Sequence, residues 1–473
     1  METLQRLHNR GSISTGEYEI DNSLKLEADN TEYMHKTPTS SGNRKTFTLS
    51  AWIKRTELGA NMNFFHAGDG DYNQSTRTNL YFLSDDRLRW GGGSAFELTT
   101  TQVFRDTSAW YHIVMAVDTT QATSSNRLKL YINGTQVTDF DDETYPTQDF
   151  TYAFCKDDKH SVGYNHTDTA SYCSLYIAEA CLIDGTAHAP TSFGEYDSNT
   201  GVWKPKDVSG LTFGTNGFYL DFEDSSNLGN DASGGTDFTL NNITSADQAL
   251  DTPTNNFCTM SPIINFRQKE PVTKFCTNGA TYIQDDSSNS WRAVMGSVFL
   301  TKGKWYWEVK NQWSTNGIAG IHTFRGNPGT TTSPHGVNDS FYFVYNKSGS
   351  GAHMAKYIDG TSTSPVGSYE TAFNHNDYAC FSLDLDNDTL TVTQNGSSAG
   401  TNLTDVDISS ITALGPVAPL MTIYRYSMRT IFGGFSTDAL TSPYQDENGY
   451  GNFKYAVPSG FYAICSKNLA EYG

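Results

Sequence analysis

Three carboxylates near the start of the chain have a spacing that could support acid–base chemistry. Glu27, Asp29 and Glu32 follow one another at intervals of two and three residues. Paired carboxylates held on one strand can act as the nucleophile and the general acid of glycoside hydrolysis. The residues between them are small and polar, however, whereas a catalytic strand would carry apolar and aromatic side chains around a cleft. We therefore expect a solvated edge segment and no catalytic residues here.

Two short acidic loops offer the oxygen atoms that Ca²⁺ prefers. Asp69-Gly-Asp71 and Asp386-Asn-Asp388 each present two carboxylates, which hard cations bind. Neither loop has the bidentate Glu of an EF-hand. Asp and Asn also favour tight turns, because their side chains bond to neighbouring backbone groups. The sequence favours turns at Asp69, Asp71, Asp386 and Asp388, with calcium as the alternative, and predicts no cofactor.

Carbohydrate recognition needs exposed aromatic rings that can stack on the C–H faces of sugars. Tryptophans inside strand-like phrases, such as Trp52 and Trp305, are expected in a core rather than on a surface. The remaining candidates are aromatic residues assigned to loops, namely Tyr72, Trp90, Tyr145, Phe154, Tyr164 and Tyr172.

Other catalytic patterns are missing from the sequence. No Gly-rich phosphate loop precedes a helix, the eleven histidines form no H-E-x-x-H pattern, and nothing matches G-x-S-x-G. The seven cysteines include no C-x-x-C pair, and an odd number cannot all pair within one chain. We expect reduced, mostly buried thiols and a protein that binds rather than catalyses.

Composition limits the function classes further. The 473 residues carry a formal net charge of −20, which argues against nucleic acid and anionic membranes as partners. Aromatic residues make up 13% of the chain and charged residues only 18%. Most of the remaining polarity comes from Ser, Thr, Asn and Gly. This composition is typical of short strands joined by tight turns and not of long helices.

The elements that must position these side chains are predicted strands, because apolar residues alternate with period two. The sequence Leu128–Ile132 ends in Asn133-Gly134, a dipeptide that suits the positive φ angles of a type I′ hairpin turn. Tyr111–Val117 is apolar on both faces. Further strands are predicted around Phe47–Ile53, 173–183, 217–222, Trp305–Val309, Phe341–Tyr345, Phe381–Leu385 and Leu390–Val392, the last ending at Asn395-Gly396.

These patterns predict an all-β protein: two antiparallel β-sandwich (jelly-roll) domains in series behind a short non-globular N-terminal leader. Residues 1–22 are the leader, and residues 23–245 the first domain. Residues 246–256 lose apolar periodicity and are predicted to be a linker. Residues 257–473 form the second domain with a C-terminal extension.

Three phrases of the first half resemble the laminin-G-like, concanavalin A-like jelly roll. They are Phe47–Ile53, Ser108–Val114 and Leu128–Gly134, with a Trp-x-His-Ile-Val strand followed by a Tyr-Ile-Asn-Gly hairpin. The second half resembles a SPRY domain in Gly303–Val309, Phe381–Asp386 and Leu390–Gly396. Both folds host many functions, so the resemblance implies architecture first.

A laminin-G-like module followed by a SPRY-like module resembles structural proteins of tailed bacteriophages. The N-terminus also lacks the apolar region of a secretory signal. The resemblance implies a virion-surface fibre, spike or decoration subunit that adheres to host-surface glycans, without membrane insertion. Arg6, His8 and Arg10 of the leader would dock onto other virion proteins, and a homo-oligomer, taken as a trimer, is expected.

Two other functions stay open. One is a glycan-degrading depolymerase on the same jelly-roll scaffold, which would use Glu27, Asp29 or Glu32. The other is a bacterial extracellular adhesin or binding module.

Overall fold

The chain folds as two compact units, Met1–Asn256 and Phe257–Gly473. The boundary lies at the C-terminal end of the predicted linker. Arg6, His8 and Arg10, the predicted docking residues, lie outside the described residues. The computed structural model describes residues 18–68, 77–91, 95–166, 171–266, 276–284, 291–312, 317–323, 340–344, 353–358, 361–368, 375–397, 404–424, 427–436, 438, 440 and 442–473.

The first unit is built from antiparallel strands and short 3₁₀ turns. The turns are Ala28–Asn30, Ser124–Asn126, Pro190–Ser192 and Ser245–Asp247. The strands are β1 (Ser23–Leu26), β2 (Tyr33–Lys36), β3 (Thr46–Arg55), β4 (Met62–Ala67), β5 (Thr78–Phe82), β6 (Arg87–Gly91), β7 (Glu97–Val103), β8 (Tyr111–Asp118), β9 (Leu128–Ile132), β10 (Thr135–Gln136), β11 (Phe140–Thr144), β12 (His160–Val162), β13 (Leu175–Asp184), β14 (Gly194–Tyr196), β15 (Trp203–Pro205), β16 (Phe218–Leu220), β17 (Thr239–Asn241) and β18 (Gln248–Ala249).

Two sheets pack face to face in this unit. The back sheet has the order β10-β9-β8-β3-β13-β1-β18, with β16 also paired to β13. The front sheet has the order β11-β7-β6-β5-β4-β12-β2-β17. Alternate residues of both sheets meet in one core, in which Phe47, Phe65, Leu80, Trp90 and Leu130 are almost fully buried. The predicted all-β sandwich is confirmed, because the period-two pattern puts one face of each strand inside.

The strand β8 is buried on both faces, as its largely apolar sequence predicts. One face contributes to the core between the sheets. Val114 on the other face packs against a second cluster that contains Phe193, Val208 and Phe213. These residues belong to the connection between β13 and β16, which therefore covers part of the outside of the back sheet.

Both predicted Asn-Gly hairpin turns have the expected backbone. The φ angles are +48° at Asn133 and +79° at Gly134, and +51° and +70° at Asn395 and Gly396. Two successive positive φ angles define the type I′ turn, which matches the twist of the flanking strands. Gly134 is also required sterically, because a Cβ there would lie 2.4 Å from the Trp203 ring.

The predicted linker 246–256 is wrong, because this segment is part of the first unit. Gln248 and Ala249 form β18, which pairs with β1. Asp251 is buried, accepting from Lys54 Nζ at 2.6 Å and from Trp110 Nε1 at 3.0 Å. The segment is polar because its side chains form a buried network with the back sheet, not because they face water.

The last residues of the predicted leader also pack on the first unit. Ile20 is buried, and its backbone N–H donates to Thr254 Oγ1 at 3.0 Å. Tyr18 donates from its hydroxyl to Glu179 at 3.0 Å. Residues 18–22 are therefore not a non-globular leader, and only the part before Tyr18 lies outside the described residues.

The second unit is also made of strands, and its described residues include two short helices. The helices are α1 (Ser409–Thr412) and α2 (Ser466–Tyr472). The strands are β19 (Met260–Phe266), β20 (Cys276–Thr277), β21 (Tyr282–Gln284), β22 (Trp291–Gly296), β23 (Lys304–Asn311), β24 (Gly317–Thr323), β25 (Ser340–Val344), β26 (His353–Ile358), β27 (Thr361–Ser368), β28 (Tyr378–Asp384), β29 (Thr389–Gln394), β30 (Val406–Asp407), β31 (Val417–Tyr424), β32 (Ser427–Ile431) and β33 (Tyr462–Ala463).

These strands form two further sheets. One has the order β19-β22-β31-β24-β25-β26-β27, and the other β20-β21-β32-β23-β28-β29-β30 with β33 parallel to β23. Trp305, Trp307 and Phe381 lie in the core, where the rings of Trp307 and Phe381 stack with centroids 5.0 Å apart. The tryptophans of this strand phrase are core residues, as predicted.

The C-terminal extension is held on the second unit by a buried carboxylate. Glu308 on β23 accepts from the backbone N–H groups of Lys454 and Tyr455 at 3.0 and 2.9 Å. The hydroxyl of Tyr306 donates to the same carboxylate at 2.9 Å. Burial raises the pKa of Glu308 to about 7.

All seven cysteines are buried, and none of them forms a disulfide bond. No helix in the described part of the chain is both long and apolar enough to cross a bilayer.

Candidate functional site

A row of polar side chains crosses the outer face of the front sheet. His35 on β2 pairs with Thr239 of β17 on one side and with Ser161 of β12 on the other. Ser161 pairs in turn with His66 of β4, and His66 with Asn79 of β5. Directly paired residues of antiparallel strands point to the same face. Since the neighbouring residues on these strands enter the core, the row points away from it.

Tyrosine and histidine rings assemble over this row. We call Tyr33, His35, His66, Tyr164, His166 and Tyr172 the histidine–tyrosine cluster. The rings of Tyr164 and Tyr172 stack with centroids 4.4 Å apart, and Tyr33 lies 4.7 Å from Tyr164. His166 lies at the centre of the cluster, 5.8 Å from His35 and 5.8 Å from His66. Tyr33 and Tyr172 are partly exposed, whereas His66 is fully buried. The cluster thus presents aromatic rings to solvent above a polar floor.

The hydrogen bonding of His66 fixes which of its nitrogens carries the proton. His66 Nδ1 lies 2.7 Å from Asn79 Oδ1. A carbonyl oxygen can only accept, so Nδ1 is the donor and a neutral ring leaves Nε2 with a free lone pair. In the described part of the chain, this buried Nε2 has no hydrogen-bond partner. Leaving such an acceptor unsatisfied costs roughly 1–3 kcal/mol.

Other buried polar atoms on this face also have no hydrogen-bond partner in the described part of the chain. Asn63 is the outward residue on β4 near His66, and its Oδ1 is buried. Within the described residues, Asn63 Oδ1, His35 Nδ1 and His166 Nε2 likewise have no partner. Buried polar groups are normally paired. The four such atoms on this face make it a candidate binding site.

The cluster histidines are neutral at physiological pH. Burial lowers the pKa of His66 to about 4 and that of His166 to about 3. Burial also lowers the pKa of His35, and the nearby positive charge of Lys159 acts in the same direction on His35 and His166. The site can therefore offer imidazole lone pairs and N–H groups without a cationic ring.

The predicted sugar-binding aromatics do not all lie together. Tyr164 and Tyr172 lie together in the histidine–tyrosine cluster. The predicted loop position of Trp90 is wrong, because Trp90 lies on β6 and is fully buried, stacked 5.7 Å from the equally buried Phe154. Tyr145 is half-buried at the end of β11 and donates to Glu143 at 2.7 Å. Tyr72 lies outside the described residues.

Sequence patterns pointed to only part of the cluster. Tyr33 and His35 alternate on β2, and Tyr164 and His166 are likewise two residues apart. Such spacing places both members of a pair on one face of an extended chain. Alternation of aromatic with histidine was the available signal, but the sequence could not show that the two pairs meet.

Two members of the carboxylate triplet are buried, which contradicts the expected solvated edge segment. Glu27 and Glu32 are buried, and the turn Ala28–Asn30 separates them, so they do not share a strand. Lys25 Nζ lies 2.9 Å from Glu32 and 2.8 Å from Asp247, and Ser174 donates to Glu27 at 3.0 Å. The expectation of a solvated edge is met by Asp29 alone. The other two carboxylates hold the start of the domain in place.

The acidic loop of the second unit uses its carboxylates in the turn. Asp386 accepts from the backbone N–H of Gly303 at 2.9 Å, and Asp388 accepts from the hydroxyl of Thr412 at 2.6 Å. Asp388 has a φ of +53°, which Asp tolerates in turns. Asp69 and Asp71 lie outside the described residues. In the described ranges, no group of three or more His, Cys, Asp or Glu side chains is placed to hold a metal ion.

A buried serine–histidine pair on the back sheet resembles half of a catalytic triad but cannot act as one. Ser50 Oγ lies 2.9 Å from His112 Nε2, and Trp203 Nε1 lies 2.9 Å from His112 Nδ1. The indole can only donate, so the neutral His112 carries its proton on Nε2 and donates to Ser50. A base must accept the proton of the nucleophile. The stacking of His112 with Trp52, 4.7 Å between centroids, makes this a structural core element.

Comparisons with known proteins give a family model and several solved structures with similarity to this chain. Curated protein sequences give no match to the chain. Solved structures with similarity include a candidate carbohydrate-binding protein from Bacteroides ovatus, 16% identical with a TM-score of 0.32 over 47% of this chain and 59% of that one. This chain therefore spans less than two thirds of that protein.

Two further structures cover different shares of the chain. Domains LG4-5 of the mouse laminin α1 chain are 10% identical with a TM-score of 0.29, over 88% of this chain and 90% of that one. The SPRY domain of human HERC1 is 15% identical with a TM-score of 0.25, over 36% and 96%. The family model that matches is the laminin G type of the concanavalin A-like lectin/glucanases superfamily, and residues 29–170 of the first unit are similar to it.

Proposed function

We propose that the first unit binds glycans on the outer face of its front sheet, through the histidine–tyrosine cluster. The observation that carries this proposal is the set of buried, unpaired polar atoms beneath partly exposed tyrosine rings. Sugars combine apolar C–H faces with hydroxyl groups, so they suit a site that combines aromatic rings with hydrogen-bonding groups. The match of residues 29–170 to a superfamily of lectins and glucanases supports the same ligand class.

The tyrosines Tyr33 and Tyr172 provide the test. We expect Tyr33→Ala and Tyr172→Ala each to weaken binding to a glycan array at least about tenfold, equivalent to ~1.4 kcal/mol, because each removes a stacking surface. Tyr196→Ala is the matched control, since Tyr196 is 52% exposed in the same unit but lies on β14, away from the front sheet. Equal loss in all three variants, or none in the first two, would contradict the proposed site.

We propose binding without cleavage. Glu27 and Glu32 are engaged in a buried network, and the Ser50–His112 pair has the wrong proton arrangement for nucleophilic attack. The intact chain should release no reducing sugar from bacterial polysaccharide, and Glu27→Gln should behave identically. Release that Glu27→Gln abolishes would instead establish the depolymerase alternative.

We further propose that the protein is a surface subunit of a bacteriophage virion, such as a fibre, spike or decoration protein, which adheres to host glycans. The support is the order of a laminin-G-like phrase set before a SPRY-like one. Residues before Tyr18, with Arg6, His8 and Arg10, would attach the subunit to other virion proteins. A homo-oligomer, with a trimer as the working model, suits attachment at a symmetric position.

Deleting residues 1–17 tests the attachment, because Tyr18 and Ile20 then keep their contacts with the first unit. The truncated protein should keep its melting temperature and its glycan binding but fail to enter particles. Normal incorporation would exclude this role of the segment.

A further inference from the structure

The acceptor atoms on the front sheet restrict what a ligand can present to them. His66 Nε2 can only accept a hydrogen bond, because Nδ1–H is engaged by Asn79 Oδ1 at 2.7 Å. Asn63 Oδ1, a carbonyl oxygen, can also only accept. Both atoms are buried on one strand, and neither has a donor in the described part of the chain.

The position of the two atoms connects them to the rest of the site. Asn63 and His66 both lie on β4, flanking the bulge at which the β4–β5 register shifts. A bulge adds one residue, so positions three apart share a face. His66 lies beneath His166, whose ring centroid is 5.8 Å away. Since His166 is only half-buried, a side-chain rotation of the kind common on binding would open His66 Nε2 to a ligand.

We infer that the ligand of this face donates hydrogen bonds from free hydroxyl groups to His66 Nε2 and Asn63 Oδ1, so that the site selects sugars whose hydroxyls are neither methylated nor removed at the bound positions. This inference rests on the proposed glycan-binding function. A carboxylate, sulfate or ether oxygen has only lone pairs and would face these acceptors without a proton to share. The unpaired acceptors are then the part of the site that discriminates.

The geometry of His66 also predicts that a substitution there changes affinity and stability differently. Replacing His66 by Phe keeps an aromatic ring in the same space and removes the unsatisfied Nε2 acceptor, but it also removes the Nδ1–H that donates to Asn79 Oδ1. Because these two changes oppose each other, stability should stay close to that of the wild type, while affinity should fall. A residue with a purely structural role would instead lose stability and affinity together.

The test uses the full chain and an array of galactose, glucose, mannose and N-acetylglucosamine, each with its monodeoxy and mono-O-methyl derivatives. For at least one parent sugar, wild-type protein should bind one derivative at least about tenfold more weakly than the parent. In that derivative, the hydroxyl that donates to His66 is removed or methylated. His66→Phe should bind that parent at least about tenfold more weakly and should no longer distinguish it from the derivative. The matched control is His188→Phe, a half-buried histidine of the same unit that bonds to Ser192 at 3.1 Å.

The outcomes separate this inference from the function on which it rests. If wild-type protein binds no sugar, the proposed function fails. If wild type binds but His66→Phe keeps the same preference among derivatives, the inference fails and the function stands. Should His66→Phe not fold, Asn63→Leu addresses the second acceptor in the same assay, and retained discrimination in that variant would likewise overturn the inference.

Discussion

Single buried residues decide much of the chemistry of this protein, and Glu179 shows how. Glu179 lies at the bulge of β13 between Ala178 and Cys181, with a φ of +50°. Its carboxyl group accepts hydrogen bonds from the hydroxyls of Tyr18 and Tyr219. Burial, the largest contribution, raises its pKa from 4.5 to about 8. At neutral pH the folded protein therefore keeps Glu179 mostly protonated.

This raised pKa makes a prediction about stability. Between pH 4.5 and about 8 the unfolded chain has an ionised Glu179, while the folded chain holds the proton, so the free energy of unfolding falls as pH rises. Each pKa unit is equivalent to about 1.4 kcal/mol. Glu179→Gln removes this dependence, and the stability of the variant relative to wild type should increase by several kcal/mol from pH 5 to pH 8.5. Urea unfolding at both pH values measures it; parallel pH profiles of variant and wild type would contradict the assignment.

At the scale of elements, the segment 248–256 packs along the edge of the back sheet and is held there by buried polar contacts. Strand β18 pairs with β1, and Asp251 forms a buried ion pair with Lys54 at 2.6 Å. Trp110 donates to the other oxygen of Asp251. Removing one partner of a buried pair leaves an uncompensated charge, whereas replacing both by apolar groups can be neutral.

Asp251→Ala should therefore destabilise the first unit by about 3–5 kcal/mol. The double variant Lys54→Met/Asp251→Leu should recover most of that loss. Chemical denaturation of the three proteins, followed by Trp fluorescence, gives the comparison. If the double variant is as unstable as Asp251→Ala, the stability of this segment depends on the ion pair itself, and buried apolar side chains cannot replace it.

The strands were predictable from the sequence to different degrees. Leu128–Ile132 followed by Asn133-Gly134 is a local signal, and it specified both a strand and its turn. The segment 246–256 lacks such a signal, because its polar side chains are satisfied by residues distant in the chain, such as Lys54. Polar composition indicates solvent exposure only where no buried partner exists.

The candidate site was less predictable than the fold for the same reason. Tyr33 and Tyr172 meet because β2 and the residues before β13 are brought together by the sandwich, not by any local spacing. The sequence predicts a loop at Trp90, whereas Trp90 is an inward residue of β6 in the core. The alternation of apolar and polar residues shows which side chains of a strand share a face. Which of the two faces receives a ligand depends on how distant strands pair.

At the scale of the whole molecule, the two units should respond oppositely to acid. Four histidines of the first unit have lowered pKa values, chiefly because of burial: about 4 for His66 and His160, and about 3 for His112 and His166. In the second unit, burial raises the pKa of Glu308 to about 7. Each unit has its own core, so we expect two separate unfolding transitions.

The sign for each unit follows from proton uptake. Below about pH 6.5 the unfolded first unit binds protons on these histidines while the folded unit does not, so its stability falls as pH is lowered towards 4. The raised pKa values of Glu179 and of four other carboxyl groups oppose this loss of stability, namely Glu32, Glu97, Asp221 and Glu223. We expect the four histidines to outweigh them. Folded Glu308 binds a proton below about pH 7 before the unfolded chain does, which stabilises the second unit as pH falls towards 4.5.

Scanning calorimetry between pH 7 and pH 4.5 tests this prediction. The transition of the first unit should move to lower temperature on acidification, whereas that of the second should move to higher temperature. Glu308→Gln identifies the transition of the second unit and should remove its gain on acidification, while leaving the first unit unchanged. Two transitions that move together, or a second unit that unfolds first in acid, would show that the buried histidines do not control the acid sensitivity of this protein.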